Sequence, residues 1–399
     1  MRRRGFALAA AMALIGGLLL TSSSTVMAAP ISPQFTITAD RNAAVPVGHR
    51  WAFNDFFPRT ATIETGGTFQ FTTEGFHTAT LLPLSWSQAA DNDANGIAAV
   101  DLDDSARNPN GTTKALEIVP AIFPVPAQGC GTPDAPCTFD GTGIVSMGMS
   151  LTGPPAPFVV TVTAPPGAYT FHCRIHPYMA GTLNVVAKGS AGVTTAASAD
   201  AAAATQATED VAAGMAAEAA VSKAGQVKNA NGTTTWKLTV GTSDPAGHVA
   251  VLDMLPRKIT IKKGDTVVWK ARDKNEPHTV TFPKDLNTDA VPLCEGSGGK
   301  DTPAIPTVNP PMSPFDFGCS GHPADEFAFG GGNGVKTITS PKTVSDSGLV
   351  ASTSVTAGFD MPVTVALASW SVKFTGAAAG TYHYVCQIHD GMEGDIVVH

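Results

Sequence analysis

The chain has 399 residues, enough for two or three domains at about 150 residues each. Hydrophobic residues make up 43% and charged residues 15%, so the chain is too apolar for a disordered protein and too weakly charged for a coiled coil. The formal net charge of -8 argues against nucleic-acid binding through a basic surface. With 40 Gly and 30 Pro, the composition is typical of a β-rich protein with many turns.

The first 28 residues have the pattern of a secretory signal peptide. Arg2, Arg3 and Arg4 precede an apolar run at residues 6–20, and a small-residue cleavage site follows at residues 26–28. The apolar run is shorter than the roughly 20 residues that a spanning helix needs, so we favour a cleaved signal over a retained membrane anchor. No later segment is long and apolar enough to span a bilayer. The mature protein is therefore predicted to be periplasmic or extracellular, where disulfides persist.

Residues 34–187 are predicted to form a first β-rich domain. Short β-branched and aromatic runs bounded by Gly or Pro predict strands at residues 60–64, 68–71 and 158–162. Residues 188–230 then change to Ala, Thr, Ser and Gly without an aromatic residue, which predicts a linker. A flexible linker of this length spans about 35 Å, so the domains need not touch. Its Ala-rich part, residues 209–223, forms at most a marginal helix on its own.

Residues 231–399 are predicted to form a second domain that repeats landmarks of the first. Residues 251–257 match residues 53–59, and both segments end in Pro-Arg. Both halves also finish with the pattern Gly-x-Tyr-x-aromatic-x-Cys. Strands are predicted at residues 259–261, 266–269, 363–366 and 371–374. Strand runs joined by turns, with little helical periodicity, predict two antiparallel β-sandwiches.

Each half carries the motif Cys-x2-His-x2-Met, preceded at a matching position by a further His. The candidate ligands are His77, Cys173, His176 and Met179 in the first half, and His278, Cys386, His389 and Met392 in the second. Strand alternation places Tyr169, Phe171 and Cys173 on one face, so the sulfur should point into an apolar core. Tyr382, Tyr384 and Cys386 repeat this arrangement.

Two imidazoles, one thiolate and one thioether are the donor set of a mononuclear copper site for electron transfer. The imidazoles and thiolate form a trigonal plane, and the thioether is a weak axial ligand. Zinc is the alternative metal, but a structural zinc site uses four strong ligands and Met is a poor one. We therefore predict one copper ion in each domain, two per chain, and no other cofactor.

These motifs resemble those of the cupredoxin family. The short Cys-x2-His-x2-Met loops are most similar to the loop of its amicyanin members, and residues 262–269 and 277–282 are similar to segments of its plastocyanin members. The resemblance implies an all-β fold class, with two Greek-key cupredoxin β-sandwiches joined by the Ala-rich linker. It also implies the eight ligands named above, single-electron transfer rather than catalysis, and redox proteins as partners. In such proteins one ligand is partly exposed and passes electrons, which here implies His176 and His389.

The His-to-Cys spacing in both halves is longer than in compact members of the family, so each domain contains a long insertion. The remaining four cysteines lie in these insertions. We predict the disulfides Cys130–Cys137 and Cys294–Cys319, because each domain then closes its own loop, whereas the two other pairings cross the linker.

Two other functions are open to the same donor set. Copper nitrite reductases and multicopper oxidases use a His beside the ligand Cys to hold a catalytic copper, and His172 precedes Cys173. The chain has no His-x-His pair, and Val385 stands at the matching position, so we predict that His172 is an exposed strand residue.

A copper storage or delivery protein is the third possibility. It would expose exchangeable ligands, and the only tempting methionine pair, at residues 147 and 149, is better explained by packing.

Overall fold

The computed structural model describes residues 32–95, 97–99, 116–118, 129–149, 156–284, 334–358, 366–389 and 391–399. Strands dominate this part of the chain, and they form two pairs of sheets and one short hairpin. The predicted all-β fold class is therefore confirmed. The proposed signal, residues 1–28, lies outside the described residues. Among the residues that are described, no helix is long and apolar enough to cross a membrane.

The N-terminal half contains the first pair of sheets. Its strands are β1 (Thr36–Ala39), β2 (Trp51–Phe53), β3 (Phe56–Phe57), β4 (Thr60–Glu64), β5 (Thr68–Thr73), β6 (Thr80–Leu81), β7 (Ile97–Ala99), β8 (Leu116–Ile118), β9 (Cys137–Phe139), β10 (Val145–Ser146), β11 (Phe158–Val162), β12 (Gly167–His172) and β13 (Ala180–Val186). A 3-10 turn at Asn42–Ala44 and a helix, α1 (Gln88–Asn95), accompany them. The strand orders are β3-β1-β5-β11-β9 and β10-β6-β12-β13-β4, while β7 and β8 form the hairpin. The strands predicted at residues 60–64 and 158–162 have the predicted bounds, and the one at 68–71 extends to residue 73.

The second pair of sheets follows the same path in the C-terminal half. Its elements are α2 (Ala196–Val221), β14 (Gly225–Lys228), β15 (Thr234–Ser243), β16 (Val249–Leu255), β17 (Lys258–Ile261), β18 (Thr266–Arg272), β19 (Thr281–Phe282), β20 (Ser345–Asp346), α3 (Thr353–Gly358), β21 (Ser369–Lys373), β22 (Gly380–Val385) and β23 (Glu393–Val398). The order β20-β19-β22-β23-β17 matches β10-β6-β12-β13-β4 strand for strand. The order β16-β15-β18-β21 matches β3-β1-β5-β11, and β14 pairs with β15, whereas no strand of the described residues corresponds to β9. The strand predicted at residues 363–366 falls almost wholly outside the described residues.

The two halves share a sheet. Strand β2 of the N-terminal half pairs antiparallel with β16, so that Phe53 lies opposite Val249 and Trp51 opposite Val251. Backbone hydrogen bonds between strands therefore join the halves, and no local sequence pattern predicts this contact.

Most of the predicted flexible linker, residues 188–230, is a docked helix of 26 residues, α2, and strand β14 follows it. This corrects the expectation of a marginal helix and of domains that need not touch. Thr195 begins it with a capping box, in which Thr195 and Ser198 satisfy each other's backbone groups. One face is buried against both halves, at Ala199, Ala203, Gln206, Ala207, Asp210 and Gly214. Packing of this face provides the stability that an isolated helix of alanines lacks.

Small side chains allow α2 to approach the shared sheet closely. A Cβ added at Gly214 would lie 2.9 Å from Val249 and 3.0 Å from the Trp51 ring. Polar contacts fix the register of the helix, because Gln206 donates to the carbonyl of Phe56 at 2.7 Å and accepts from the backbone N–H of Arg59 at 2.9 Å. The halves are thus held together by a strand pair and a helix.

Candidate metal centres

The N-terminal centre forms where strand β12 ends and a tight turn begins. Alternation along β12 buries Tyr169, Phe171 and Cys173 in the core, as predicted. The backbone N–H of Cys173 donates to the carbonyl of Met179 at 3.0 Å, and that of Met179 donates to the carbonyl of His176 at 3.0 Å. These two bonds close the turn, so the three motif residues stay together in the buried interior.

His77 reaches the same point from the loop before β6, which pairs with β12. The Nδ1 atoms of His77 and His176 are 2.9 Å apart, and the Sγ of Cys173 lies 3.4 Å from Nδ1 of His176. All three donor atoms lie within 4.8 Å of one another. Two imidazole nitrogens and one sulfur that converge in an apolar interior fit a soft metal ion such as copper. Met179 follows in the same turn and is fully buried.

The surroundings of the Cys173 sulfur stabilise a negative charge on it. The backbone N–H groups of Thr78 and Ile175 both donate to it at 3.4 Å. Burial by itself raises the pKa of the Cys173 thiol, but the imidazoles of His176 and His77 outweigh burial and hold that pKa well below its usual range. The thiolate that a copper ion requires is therefore favoured before any metal binds.

The C-terminal centre repeats this geometry. The Nδ1 atoms of His278 and His389 are 3.1 Å apart, and Sγ of Cys386 lies 3.6 Å from Nδ1 of His389. The backbone N–H groups of Thr279 and Ile388 donate to Cys386 at 3.3 and 3.4 Å. Burial raises the pKa of Cys386, but hydrogen bonds with both histidines outweigh it and place that pKa well below the usual range.

The C-terminal turn is also closed in the same way. Met392 accepts from the backbone N–H of Cys386 at 2.8 Å, and its own N–H donates to the carbonyl of His389 at 3.2 Å. Met392 is buried. The structure thus brings together the predicted histidine and cysteine ligands of each half, with the predicted methionine in the same turn.

The two centres differ around His77 and His278, the first histidine of each centre along the chain. The difference lies at the outer ring nitrogen, Nε2, which points away from the sulfur. Nε2 of His77 lies 3.3 Å from a carboxylate oxygen of Asp40, whereas Nε2 of His278 has no hydrogen-bond partner among the described residues. Its nearest carboxylate, Asp273, is 3.9 Å away, and burial together with the charge of Glu276 raises the pKa of Asp273 to about 8. Burial therefore favours the neutral form of the acid that faces the C-terminal histidine.

The second histidines of the two centres meet at one carboxylate, Glu276. Nε2 of His176 lies 2.8 Å from Oε1 of Glu276, and Nε2 of His389 lies 3.4 Å from Oε2. Burial raises the pKa of Glu276, but the two imidazoles outweigh it and hold that pKa well below its usual range. Burial lowers the pKa of His389, but the hydrogen bonds with Cys386 and Glu276 outweigh burial and raise this pKa to about 10. A single ionised carboxylate therefore joins the two sites.

The expectation that His176 and His389 are partly exposed is wrong for His176, which is only 3% exposed. The C-terminal half covers it: the backbone N–H of Tyr178 donates to Asn275 at 2.9 Å, and the Tyr178 hydroxyl donates to the carbonyl of Ser354 at 3.2 Å. His389 retains a small exposed fraction of 12%. No local sequence pattern predicts this cover, because it follows from the contact between the halves.

The prediction that His172 is an exposed strand residue is also wrong. His172 is completely buried, and its Nε2 lies 2.7 Å from a carboxylate oxygen of Asp91 in helix α1. Its Nδ1 lies 3.0 Å from the carbonyl of Cys173, so both ring nitrogens are engaged. Helix α1 comes from the insertion, which no local pattern placed against β12.

A third group of possible ligands, Asp55, Asp210 and His248, lies between the halves. The guanidinium of Arg59 already occupies this position, with contacts of 2.5 Å to Asp55 and 2.7 Å to Asp210. A cation is thus supplied by the chain itself, and we interpret this group as a structural network that anchors α2.

The cysteines of the insertions have different outcomes. The predicted disulfide between Cys130 and Cys137 is confirmed. The predicted pair of Cys294 and Cys319 lies outside the described residues. Met147 and Met149 are buried in the N-terminal core, which confirms that they have a packing role.

Comparisons with known proteins give structural neighbours of low similarity. No family model matches the chain, and no curated protein matches it. Among solved structures, a mutant of amicyanin with Cu(I) matches with 15% identity and a TM-score of 0.18, covering 41% of this chain and 80% of that one. A second amicyanin mutant with Cu(I) matches with 16% identity and a TM-score of 0.19, over 46% of this chain and 90% of that one. A third, in its reduced state, has 16% identity and a TM-score of 0.19, over 45% and 96%.

Proposed function

We propose that this chain is an exported electron-transfer protein with two tandem cupredoxin domains, each of which holds one copper ion. The observation that carries the proposal is the convergence of two imidazole nitrogens and a thiolate sulfur, twice, in the same strand context. The ligands would be His77, Cys173, His176 and Met179, and His278, Cys386, His389 and Met392. A copper ion in such a site supplies a one-electron redox couple.

The surroundings of the donor atoms favour electron transfer over ligand exchange. The turns are closed, the cysteine sulfurs are buried, and three of the four histidines contact a carboxylate, which leaves the ligands little freedom to rearrange. Burial of Cys173, Met179 and His77 also argues against copper delivery, because a receiving protein could not reach these ligands.

Catalysis of the nitrite reductase or multicopper oxidase type is less well supported. It would require His172 to offer a ring nitrogen to a second copper ion. Both nitrogens of His172 are engaged, one with Asp91 and one with the carbonyl of Cys173. The partners that we propose are therefore redox proteins that donate and accept single electrons.

Export is part of the same proposal. The disulfide Cys130–Cys137 is of a kind that persists outside the cytoplasm. It agrees with the signal pattern of residues 1–28 and with a periplasmic or extracellular location.

The test is the metal content and the visible spectrum of the mature protein and two variants, Cys173→Ser and Cys386→Ser. We expect two copper ions in the unmodified protein, one in each variant, and loss of about half the thiolate-to-copper absorption in each. Cys130→Ser is the matched control, since it removes a disulfide-bonded cysteine that belongs to neither ligand group and should retain both ions. Equal absorption in all four proteins, or zinc in place of copper after loading with both metals, would refute the proposal.

A further inference from the structure

Glu276 lies in the narrow space between the two candidate centres. One of its carboxylate oxygens is 2.8 Å from His176 of the N-terminal half, and the other is 3.4 Å from His389 of the C-terminal half. Its side chain is 13% exposed, so little solvent reaches the bridge. The amide of Asn54 also approaches the first oxygen, at 3.4 Å.

These contacts form a continuous path from one sulfur to the other. Cys173 contacts His176 at 3.4 Å, and the opposite side of that ring contacts Glu276. From Glu276 the path continues to the outer nitrogen of His389, whose inner nitrogen lies 3.6 Å from Cys386. Each imidazole thus has its inner side towards its own centre and its outer side towards the shared carboxylate.

The bridge is specific to one half of the chain. Glu276 precedes His278 by two residues, and the residue in that position before His77 is Gly75. A Cβ added at Gly75 would lie 2.2 Å from a carboxylate oxygen of Asp40, so the N-terminal half has no room for a side chain there. One carboxylate therefore serves both centres.

The surrounding structure holds the bridge in place. Strand β2 pairs with β16, helix α2 packs on the shared sheet, and Tyr178 donates to Asn275, the neighbour of Glu276. A path that is fixed by backbone pairing needs little rearrangement when charge moves along it.

We propose that Glu276 is an internal relay that couples the two centres, so that the chain shares electrons between them instead of carrying them independently. This inference rests on the proposed function. In the step, one electron leaves the reduced centre and enters the oxidised one, so the first is oxidised by one electron and the second is reduced by one. No bond breaks, and no further reactant is needed.

The test measures electron redistribution within the copper-loaded protein after a fast one-electron reduction. Cys173→Ser and Cys386→Ser proteins provide the separate spectra and potentials of the two centres. In the unmodified protein we expect a redistribution phase whose rate does not depend on protein concentration. Glu276→Ala removes the bridge and should slow this phase by about tenfold or more, equivalent to about 1.4 kcal/mol in the barrier.

Glu276→Gln is the second variant, and it keeps the size of the side chain. The carboxylate accepts a hydrogen bond from each imidazole, whereas an amide oxygen can accept from only one of the two positions. Its rate should therefore fall between those of the unmodified protein and Glu276→Ala. The matched control is Asp40→Asn, which alters a carboxylate beside one histidine only, His77. This variant should change the reduction potential of the N-terminal centre, but it should slow the redistribution much less than Glu276→Ala does.

The outcomes separate this inference from the proposed function. Failure of the unmodified protein to bind copper at both centres would refute the proposed function itself. Full copper loading and an unchanged redistribution rate in Glu276→Ala would refute the relay alone. Loss of copper in Glu276→Ala, with copper and rate retained in Glu276→Gln, would show that the side chain only supports the ligands and would also overturn the relay.

Discussion

Asp91 offers a sharp test of the packing that fixes the N-terminal centre. Its carboxylate lies 2.7 Å from Nε2 of His172 and accepts from Nε of Arg174 at 2.8 Å. These two residues flank Cys173, so helix α1 of the insertion is tied to both sides of the candidate ligand. Replacement of Asp91 by Asn keeps the shape of the side chain and removes its charge.

The expected loss of stability follows from burial and from the pKa of Asp91. Burial raises this pKa, but His172 and Arg174 outweigh burial and lower it from 3.8 to about 2. A carboxyl whose pKa is lower in the folded state stabilises that state above its unfolded pKa, here by about 2–3 kcal/mol, and this contribution is lost as the pH falls from about 4 to 2. The removal of one member of a buried ion pair costs about 3–5 kcal/mol. We therefore expect Asp91→Asn to lower the free energy of unfolding by about 3–5 kcal/mol at pH 7.

The matched control is Asp395→Asn. Asp395 lies 2.6 Å from Nδ1 of His383, but the two side chains are 33% and 56% exposed. An exposed ion pair contributes about 0–1 kcal/mol, so the free energy of unfolding of this variant should hardly differ from that of the unmodified protein. The assay is urea unfolding of the metal-free proteins at pH 7 and pH 3, where the difference between Asp91→Asn and the unmodified protein should shrink at the lower pH. Equal losses in the two variants, or a difference that does not depend on pH, would refute the reasoning.

Two further predictions concern the centres themselves. A Cβ added at Gly241 would lie 1.8 Å from Nε2 of His278, so Gly241→Ala should displace this ring and reduce the bound copper from two ions to one. Gly232→Ala introduces a side chain at a similar positive φ with no atom within 4 Å, and should retain both ions in metal analysis. The N-terminal centre should have the lower reduction potential. Redox titration of Cys386→Ser protein measures the N-terminal potential, and titration of Cys173→Ser protein measures the C-terminal one. A higher potential in Cys386→Ser protein, which retains only the N-terminal centre, would contradict this order.

Much of each centre could be predicted because it depends on local rules. Alternation along a strand buries every second residue, and this placed the Cys173 sulfur in the core together with Tyr169 and Phe171. The spacing of Cys, His and Met predicted three candidate ligands in one turn, and the repeat predicted His77 as the distant candidate. The structure brings the cysteine and both histidines together. The short loop between Cys130 and Cys137 likewise needed no knowledge of the fold.

The features that were missed all depend on contacts between distant parts of the chain. The alanines of α2 have no periodic apolar pattern that would reveal a buried face, because alanine is compatible with both a packed and an exposed position. His172 looked like an exposed strand residue because its partner, Asp91, comes from an insertion with no counterpart in the pattern. Glu276 did have a signal, since it stands where the first half has Gly75, but its meaning requires the second centre to be nearby.

The order of potentials follows from groups outside the two donor sets, which are themselves alike. A carboxylate bonded to the outer nitrogen of a ligand histidine makes that histidine a stronger donor, and a stronger donor favours the more highly charged metal. Asp40 does this for His77, whereas Asp273 stands 3.9 Å from His278 and burial favours its neutral form. Glu276 contacts both centres, but it lies closer to His176 (2.8 Å) than to His389 (3.4 Å), so it favours the same order. The oxidised form is therefore favoured more in the N-terminal half. Electrons that reach the pair should consequently settle in the C-terminal centre, and Asp40→Asn should narrow the measured gap by raising the N-terminal potential alone.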